Sequence, residues 1–411
     1  MMKELGKRKL IKDNYNNFFL REWLVHGACS SRLPISSVCD CHCIYCCNDS
    51  NPFFMCRNVF RNIDDIKLQL ELMEPHDEEI RLNDSMCIRI AEGEAFIHPH
   101  FFEILKLVRK KYKTNTLSFV TNGSMLSKEF VEKLSFYRPI QISISIHTTQ
   151  PRLWAYVYGS SHRKANIAIK SLEIMKKFQI DLSASIITMP NILGWDDIEK
   201  TYNFLCSFEI EKIELSRPTY TKCTPHHIVK KLKCPLNEFL SFSRKMSSKY
   251  PIQNFPRINI TAPSSLPIKE IMKKTVSSTF DNNTKYYRNV LWLCSQASYK
   301  TIKKKVFEYS GCTSNIHYVV PVRNITFGGN VVVSGHLLVE DYVRAGTQYI
   351  KNLSNLDLVL VPKRPFDELF RDITRVNVLE ISNRLQKPVW VINDSEPYQP
   401  IVLKKLNSVA I

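Results

Sequence analysis

Hydrophobic and polar positions alternate in two distinct ways between about residues 34 and 216. Short runs rich in Ile, Val, Ser and Thr, each ending at polar or turn residues, read as strands: Pro34–Val38, Cys87–Ala91, Thr116–Thr121, Ile140–Ile146, Asp181–Thr188 and Lys212–Ser216. Between them the apolar residues recur every three or four positions, which reads as helix over Ile63–Leu72, Phe101–Tyr112, Lys128–Phe136, Lys164–Phe178 and Trp195–Phe208. In the fourth of these, Ala165, Ile169, Leu172 and Met175 keep the helical spacing. Strands alternating with helices form parallel β/α units. Six strands fall short of a closed eight-strand barrel, so the pattern predicts an α/β fold built on a partial (β/α)6 TIM-like barrel. Chemistry in such a fold sits on loops leaving the C-terminal ends of the strands.

The rest of the chain divides around that region. Residues 1–30 form an N-terminal extension, 31–216 the barrel, and 217–285 a helical connector whose clearest helix is Leu236–Met246 and whose polar stretch Val276–Thr284 reads as a linker. A smaller α+β, β-rich C-terminal domain follows over 286–411, with β-type runs at Ile316–Val322, Asn330–Ser334, Leu356–Val361 and Val389–Ile392. The basic start, Met1 to Asp13, precedes no apolar stretch with a cleavage site, and no apolar run reaches the ~18 residues of a membrane span. The expected setting is cytoplasmic, with no membrane partner.

Composition removes some functions. With only 11 glycines and neither G-x-G-x-x-G nor G-x-x-x-x-G-K-[ST], a nucleotide held on a Gly-rich loop is not expected. The 57 Lys and Arg against 39 Asp and Glu give a net charge of +18, which favours an anionic partner. The basic residues are dispersed, with short clusters at Arg109-Lys110-Lys111, Lys230-Lys231 and Lys303-Lys304-Lys305, and the aromatics do not interleave with them along the sequence. That distribution reads as a general cationic surface more than as a dedicated nucleic-acid site.

Cysteine placement changes the picture most. Cys39, Cys41, Cys43, Cys46, Cys47 and Cys56 crowd into one short stretch, which in a chain of this length points to metal or redox chemistry in a reducing compartment. Cys39, Cys43 and Cys46 have C-x3-C-x2-C spacing directly after the first strand. Three thiolates on one loop can hold three irons of a [4Fe–4S] cluster and leave the fourth iron open. Zinc is the main alternative. It normally takes four ligands, often as two separated pairs, and no second C-x2-C pair follows.

This loop resembles that of the radical S-adenosylmethionine (radical SAM) enzymes, whose C-x3-C-x-aromatic-C segment binds the cluster, with Tyr45 matching the aromatic. The resemblance continues through Ala91-Glu92-Gly93-Glu94-Ala95-Phe96, similar to the family's Gly-Gly-Glu-Pro segment. It also takes in Thr121-Asn122-Gly123 and Ser143-Ile144-Ser145-Ile146-His147. It implies Cys39, Cys43 and Cys46 as cluster ligands, Glu94 for the SAM ammonium, Tyr45 beside the adenine, and Asn122 and Ser145 facing the SAM. Glu92 and Ala95 depart from the family's Gly and Pro. A narrower resemblance, through His147-Thr148-Thr149-Gln150-Pro151, Met189 to Asp197, and Tyr318 to Leu338, is to a subgroup whose C-terminal half is a domain of unknown function. Trp154 stands where that subgroup tends to have Arg, which leaves Arg152 for the SAM carboxylate.

The resemblance implies reductive cleavage of SAM to a 5′-deoxyadenosyl radical that abstracts hydrogen from a substrate. That substrate is a peptide or protein, an RNA or a small molecule, and a reductant such as flavodoxin or ferredoxin supplies the electron. Oxygen sensitivity follows from an open iron. An auxiliary Fe–S cluster on Cys223, Cys234, Cys294 and Cys312 is the further cofactor the sequence offers. The competing readings are a non-catalytic iron–sulfur scaffold or redox sensor, and a zinc-stabilised nucleic-acid-binding protein.

Overall fold

Five strands of the first half run side by side in sequence order, every neighbouring pair parallel. The computed structural model describes residues 31–402 apart from 54–57, 76–77, 83–92, 209, 211, 250–266, 277, 281–282, 286, 352–354, 367–368 and 393–400. It divides into two compact units, residues 1–258 and 259–411.

In the first unit the order is α1 (Ile63–Leu72), β1 (Glu79–Arg81), α2 (Phe101–Lys111), β2 (Thr116–Thr121), α3 (Lys128–Ser135), β3 (Ile140–Ser145), α4 (Pro151–Val157), α5 (His162–Lys177), β4 (Asp181–Ile187), α6 (Pro190–Leu193), α7 (Trp195–Cys206), β5 (Lys212–Ser216), α8 (His226–Leu232) and α9 (Leu236–Lys249). Helix starts are set locally: Asn62, Ser127 and Ser161 each accept from a main-chain N–H of the first turn of α1, α3 and α5. The expected first strand, Pro34–Val38, is reduced to an edge. Leu33 N and Ile35 N donate to Arg81 O and Leu82 O at 2.7 and 3.2 Å, laying 32–35 along β1, before Ser36 bridges antiparallel to Phe60. Pro34 has no N–H to donate. The strand expected at Cys87–Ala91, like Cys56 and residues 1–30, lies outside the described residues.

The parallel barrel-type sheet has two unlike faces. Ile140, Ile142 and Ile144 of β3, Leu182, Ala184 and Ile186 of β4, and Ile213 and Leu215 of β5 are buried under the helices, in one apolar cluster. The alternate positions carry small or polar side chains, and the register sets Ser143 beside Ser183, and Ser145 beside Ser185 beside Glu214. A strand period of two thus produces a helix-covered face and a polar inner face from the same residues.

The second unit comprises α10 (Ile268–Val276), β6 (Ser278–Phe280), β7 (Asn283–Lys285), β8 (Asn289–Ser295), α11 (Tyr299–Tyr309), β9 (Ile316–Val322), α12 (Val339–Ile350), β10 (Leu358–Pro362), α13 (Leu379–Leu385), β11 (Val389–Ile392) and β12 (Ile401–Val402). Its sheet has the order β12-β11-β10-β8-β9, parallel except for β12. Leu291, Leu293, Val359 and Val361 pack into a core on one face, while Val290, Trp292, Leu358 and Leu360 pack with α10 and α11 on the other. The polar stretch expected as a linker contains the paired strands β6 and β7. Residues Asn330–Ser334, expected as a strand, form none: Val331 N bonds back to Gly328 O and Val332 O accepts from Ala297 N, with no ladder.

Candidate functional site

The cysteine loop is tied down on both sides by main-chain hydrogen bonds. Glu94 N donates to Val38 O at 2.8 Å and Gly93 N to Ser36 O at 3.3 Å. On the other flank His42 N donates to Tyr158 O at 2.8 Å and Ile44 N to Val157 O at 3.0 Å. Both flanks need glycine. A Cβ on Gly93 would stand 2.3 Å from Val38 O, and one on Gly159, whose φ is +55°, 2.3 Å from His42 O. The loop therefore emerges at the C-terminal end of the sheet, wedged between the Glu94 segment and the end of α4.

Glu94 is buried, with 3% of its surface exposed, and collects donors. Thr121 Oγ1 lies 3.0 Å from each carboxylate oxygen, and the Asn122 N–H donates to Oε2 at 3.0 Å. Phe96 N donates to Oε1 at 3.3 Å. Burial pushes the carboxyl up to about 8 against the pull of those donors, and the nearby charges of Cys39 and Asp40 add to the rise.

The side-chain amide of Asn122 reaches the loop itself, donating to Asp40 Oδ1 at 3.0 Å and to Cys41 Sγ at 3.3 Å, with Cys39 Sγ at 4.0 Å. Asp40 also accepts from Ser124 Oγ at 2.6 Å and pairs with Lys164 Nζ of α5 at 2.7 Å. Burial works against its charge, but the bonds from Lys164, Ser124 and Asn122 hold the carboxyl below the usual range. Asp40, Ser124 and Lys164 are residues the sequence reading passed over.

The thiols differ. Cys39 is exposed and pulled down to about 7, chiefly by a hydrogen bond with Cys41. Cys41 is buried and raised by the same bond. Burial raises Cys43 and Cys46, and the charge of Cys39 raises both further. Cys39, Cys43 and Cys46 thus act on one another across one loop. Among the described residues, no group of three or more His, Cys, Asp or Glu side chains stands close enough to hold a metal ion as it is. The donor chemistry, three soft thiols within mutual electrostatic range, fits a thiolate-bound cluster.

Tyr45 lies on the same loop, its ring 4.8 Å from His147 and 5.9 Å from Tyr158. The Tyr158 OH donates to Ser145 O at 2.6 Å, and Ser145 Oγ lies 3.2 Å from Ser185 Oγ on the inner face. Tyr45 and Ser145 are therefore joined through Tyr158, as Cys39 and Glu94 are through Asn122. Arg152 joins neither group: it is exposed on the first turn of α4 and has no partner among the described residues. Trp154 is fully buried and stacks on Tyr158 at 4.1 Å, so it serves the core. Of the thiols considered for a second cluster, Cys234 contacts Thr188 Oγ1 at 3.6 Å in the first unit, and Cys294 donates to Val320 O at 3.6 Å in the second. Cys223 is exposed, and nothing is described of the Cys312 side chain.

A parallel, barrel-type α/β unit with a cysteine loop and a buried carboxylate at its C-terminal strand ends defines a cofactor-dependent class of protein. Residues 33–205 match the family model described as the Radical SAM superfamily, so the first unit contains a radical SAM domain over that span. Members of that superfamily are enzymes, and membership implies SAM and a [4Fe–4S] cluster. No curated protein matches the chain. Among solved structures it is similar to Streptococcus suis SuiB bound to S-adenosylmethionine, at 15% identity over 54% of this chain and 48% of that one, TM-score 0.39. It is also similar to methylornithine synthase (PylB), at 12% identity over 59% and 67%, TM-score 0.41. A third is anSMEcpe with bound AdoMet and Kp18Cys peptide, at 14% identity over 60% and 69%, TM-score 0.39. The chain spans about half the length of SuiB. Among the described residues no helix is long and apolar enough to cross a membrane.

Proposed function

We propose that the chain is a radical SAM enzyme whose Cys39, Cys43 and Cys46 hold a [4Fe–4S] cluster and whose Glu94 receives the ammonium of SAM. The observation that carries this reading is the placement of Glu94. It is buried, raised to about 8 and linked to the cysteine loop through one residue, Asn122. A cation arriving there would restore the carboxylate and form a charge-assisted hydrogen bond. Bound together, a reduced cluster and SAM supply a 5′-deoxyadenosyl radical that takes a hydrogen atom from the substrate.

The chain's own part is positioning. The three thiols do not yet form a ligand set, so cluster binding draws Cys39, Cys43 and Cys46 together on a loop held at Val38, His42 and Ile44. Asn122 and Asp40 fix the stretch that carries Cys39 and Cys41. Tyr45, set against His147 and Tyr158, forms an aromatic wall suited to the adenine, and Ser145 with Ser185 offers hydroxyls on the inner face.

The test uses anaerobically reconstituted protein reduced with dithionite and given SAM. The expected product is 5′-deoxyadenosine, lost in Cys43→Ala. No product from protein carrying its full iron and sulfide would overturn the reading, and zinc in anaerobically purified protein would favour a binding module.

A further inference from the structure

The three basic clusters of the sequence have different fates in the fold. In the first, Arg109 donates to the carbonyls of Tyr137 at 3.0 Å and Asn115 at 2.6 Å, and Lys111 to those of Glu71 and Met73, both at 3.1 Å. Those charges satisfy main-chain carbonyls within the fold, Lys111 at the end of α1. In the second, Lys231 donates to Tyr156 OH at 2.6 Å. The third lies on α11, where Ile302 and Val306 occupy the buried side and most of the helix faces solvent.

At 100° per residue, Lys303, Phe307, Lys300 and Lys304 fall next to one another on that outer face of α11. Phe307 sits four, seven and three positions from the three lysines and is 78% exposed. Lys304 pairs with Glu308 at 3.7 Å, while Lys300 has no partner among the described residues. Lys303 Nζ donates to Tyr299 OH at 3.2 Å and lies 5.5 Å from its ring centre. α11 carries four lysines against one glutamate. Phe307 therefore stands exposed among three lysines on one helix face.

We propose that the outer face of α11 in the second unit binds single-stranded nucleic acid, its lysines on phosphates and Phe307 stacked on an unpaired base. The charge fits a polyanion, and an exposed ring among lysines is how single strands are held without sequence preference. A membrane is the poorer fit, because α11 buries its apolar side in the core and would have one ring to insert. An acidic peptide is poorer too, since the outer face of a single helix is convex. The proposal does not rest on the chemistry of the first unit, and its test needs neither cluster nor SAM.

The experiment measures fluorescence anisotropy of a labelled oligo(U) with the full chain over a range of salt, beside a duplex RNA of equal length and anionic vesicles. Oligo(U) is expected to bind more tightly than the duplex. Phe307→Ala should weaken oligo(U) at least about 5-fold while leaving the salt slope unchanged. The triple variant K300Q/K303Q/K304Q should lower the salt slope by about 2. The triple K106Q/K110Q/K113Q, on exposed residues of the first unit, removes the same charge and should leave binding within about 2-fold. Equal losses from the two triples would assign binding to net charge alone and overturn the proposal. So would vesicle binding without RNA binding, no binding of oligo(U), or unchanged affinity in Phe307→Ala that melts like the parent.

Discussion

The main-chain N–H of Asn122 donates to Glu94 Oε2 at 3.0 Å while the same residue's side-chain amide holds Asp40 at 3.0 Å, so one residue at the end of β2 orients both the carboxylate and the cysteine loop. Breaking the amide alone tests the division. Asn122→Ala keeps the N–H to Glu94 and removes the bonds to Asp40 and Cys41. It should impair cluster loading, read as iron per chain after reconstitution, more than it weakens SAM binding to the fraction that loads. The reverse order would separate Asn122 from the loop.

Glu94 gives a prediction with a pH sign. Its carboxyl is raised to about 8 by burial, with Cys39 and Asp40 adding their charges, so below that pH it is mostly neutral. A cationic ammonium prefers the ionised form. SAM affinity should therefore rise with pH toward about 8, with a proton released on binding, and level off above it. Glu94→Gln should bind roughly 10- to 100-fold more weakly, the loss expected for a hydrogen bond to a charged group, and lose that pH dependence. Calorimetry in two buffers of different ionisation heat measures both. A variant that keeps the slope would place the titrating group elsewhere.

The Asp40–Lys164 pair ties the loop to α5 at 2.7 Å, with Ser124 and Asn122 completing the carboxylate's partners. Removing the charge of Asp40 leaves a partly buried ammonium with a weaker partner. Asp40→Asn should cost about 1–3 kcal/mol of stability, and Lys164→Met less, because the lysine is the more exposed of the two. The double variant should cost less than the sum. Urea midpoints of the four proteins decide it: additive losses would mean that the two groups do not act as a pair.

Much of the frame was legible because it is written locally. Ile63–Leu72, Thr116–Thr121 and Lys212–Ser216 carry the periodicity or β-branched content of their final state. Other elements lack that signal. β1 is three residues long, and α4 is a seven-residue helix opening on Pro151 and crowded with aromatic side chains. β8 is buried on both faces, so its run shows no alternation. Val331-Val332-Val333 looks like a strand, but it follows Gly328 and Gly329 at positive φ and finds no partner ladder. Within the site, Glu94 and the cysteines stand out by spacing. Asp40 does not, because its partners Ser124 and Lys164 are brought to it only by the fold.

The loop's tolerance for side chains can be tested at Gly159, where the backbone has φ +55° and a Cβ would lie 2.3 Å from His42 O. Gly159→Ala must strain its own backbone and also push away the carbonyl beside Cys41 and Cys43. A loss of about 1–3 kcal/mol is expected. Cluster loading should fall as well, because His42 and Ile44 are held by Tyr158 and Val157 immediately before the glycine. Unchanged stability with full iron content would show that the flank yields easily.

His147 gives the first unit one source of acid sensitivity. It is fully buried between Tyr45 and Tyr158, its Nδ1 accepts from Ile187 N at 3.1 Å, and burial lowers its imidazole to about 3. The folded chain keeps it neutral, whereas the unfolded chain protonates it below about 6.5. Between those values the unfolded state binds more protons, so stability falls as pH drops from about 6.5 toward about 3, by on the order of 5 kcal/mol if this group acted alone. Carboxylates across the protein add their own acid loss, so the informative quantity is a difference. His147→Gln keeps an acceptor for Ile187 without the titration. Its stability should start below the parent's at pH 7.5 and decline less steeply down to pH 4. Parallel curves for the two proteins would show that His147 is already protonated, or solvated, in the folded chain.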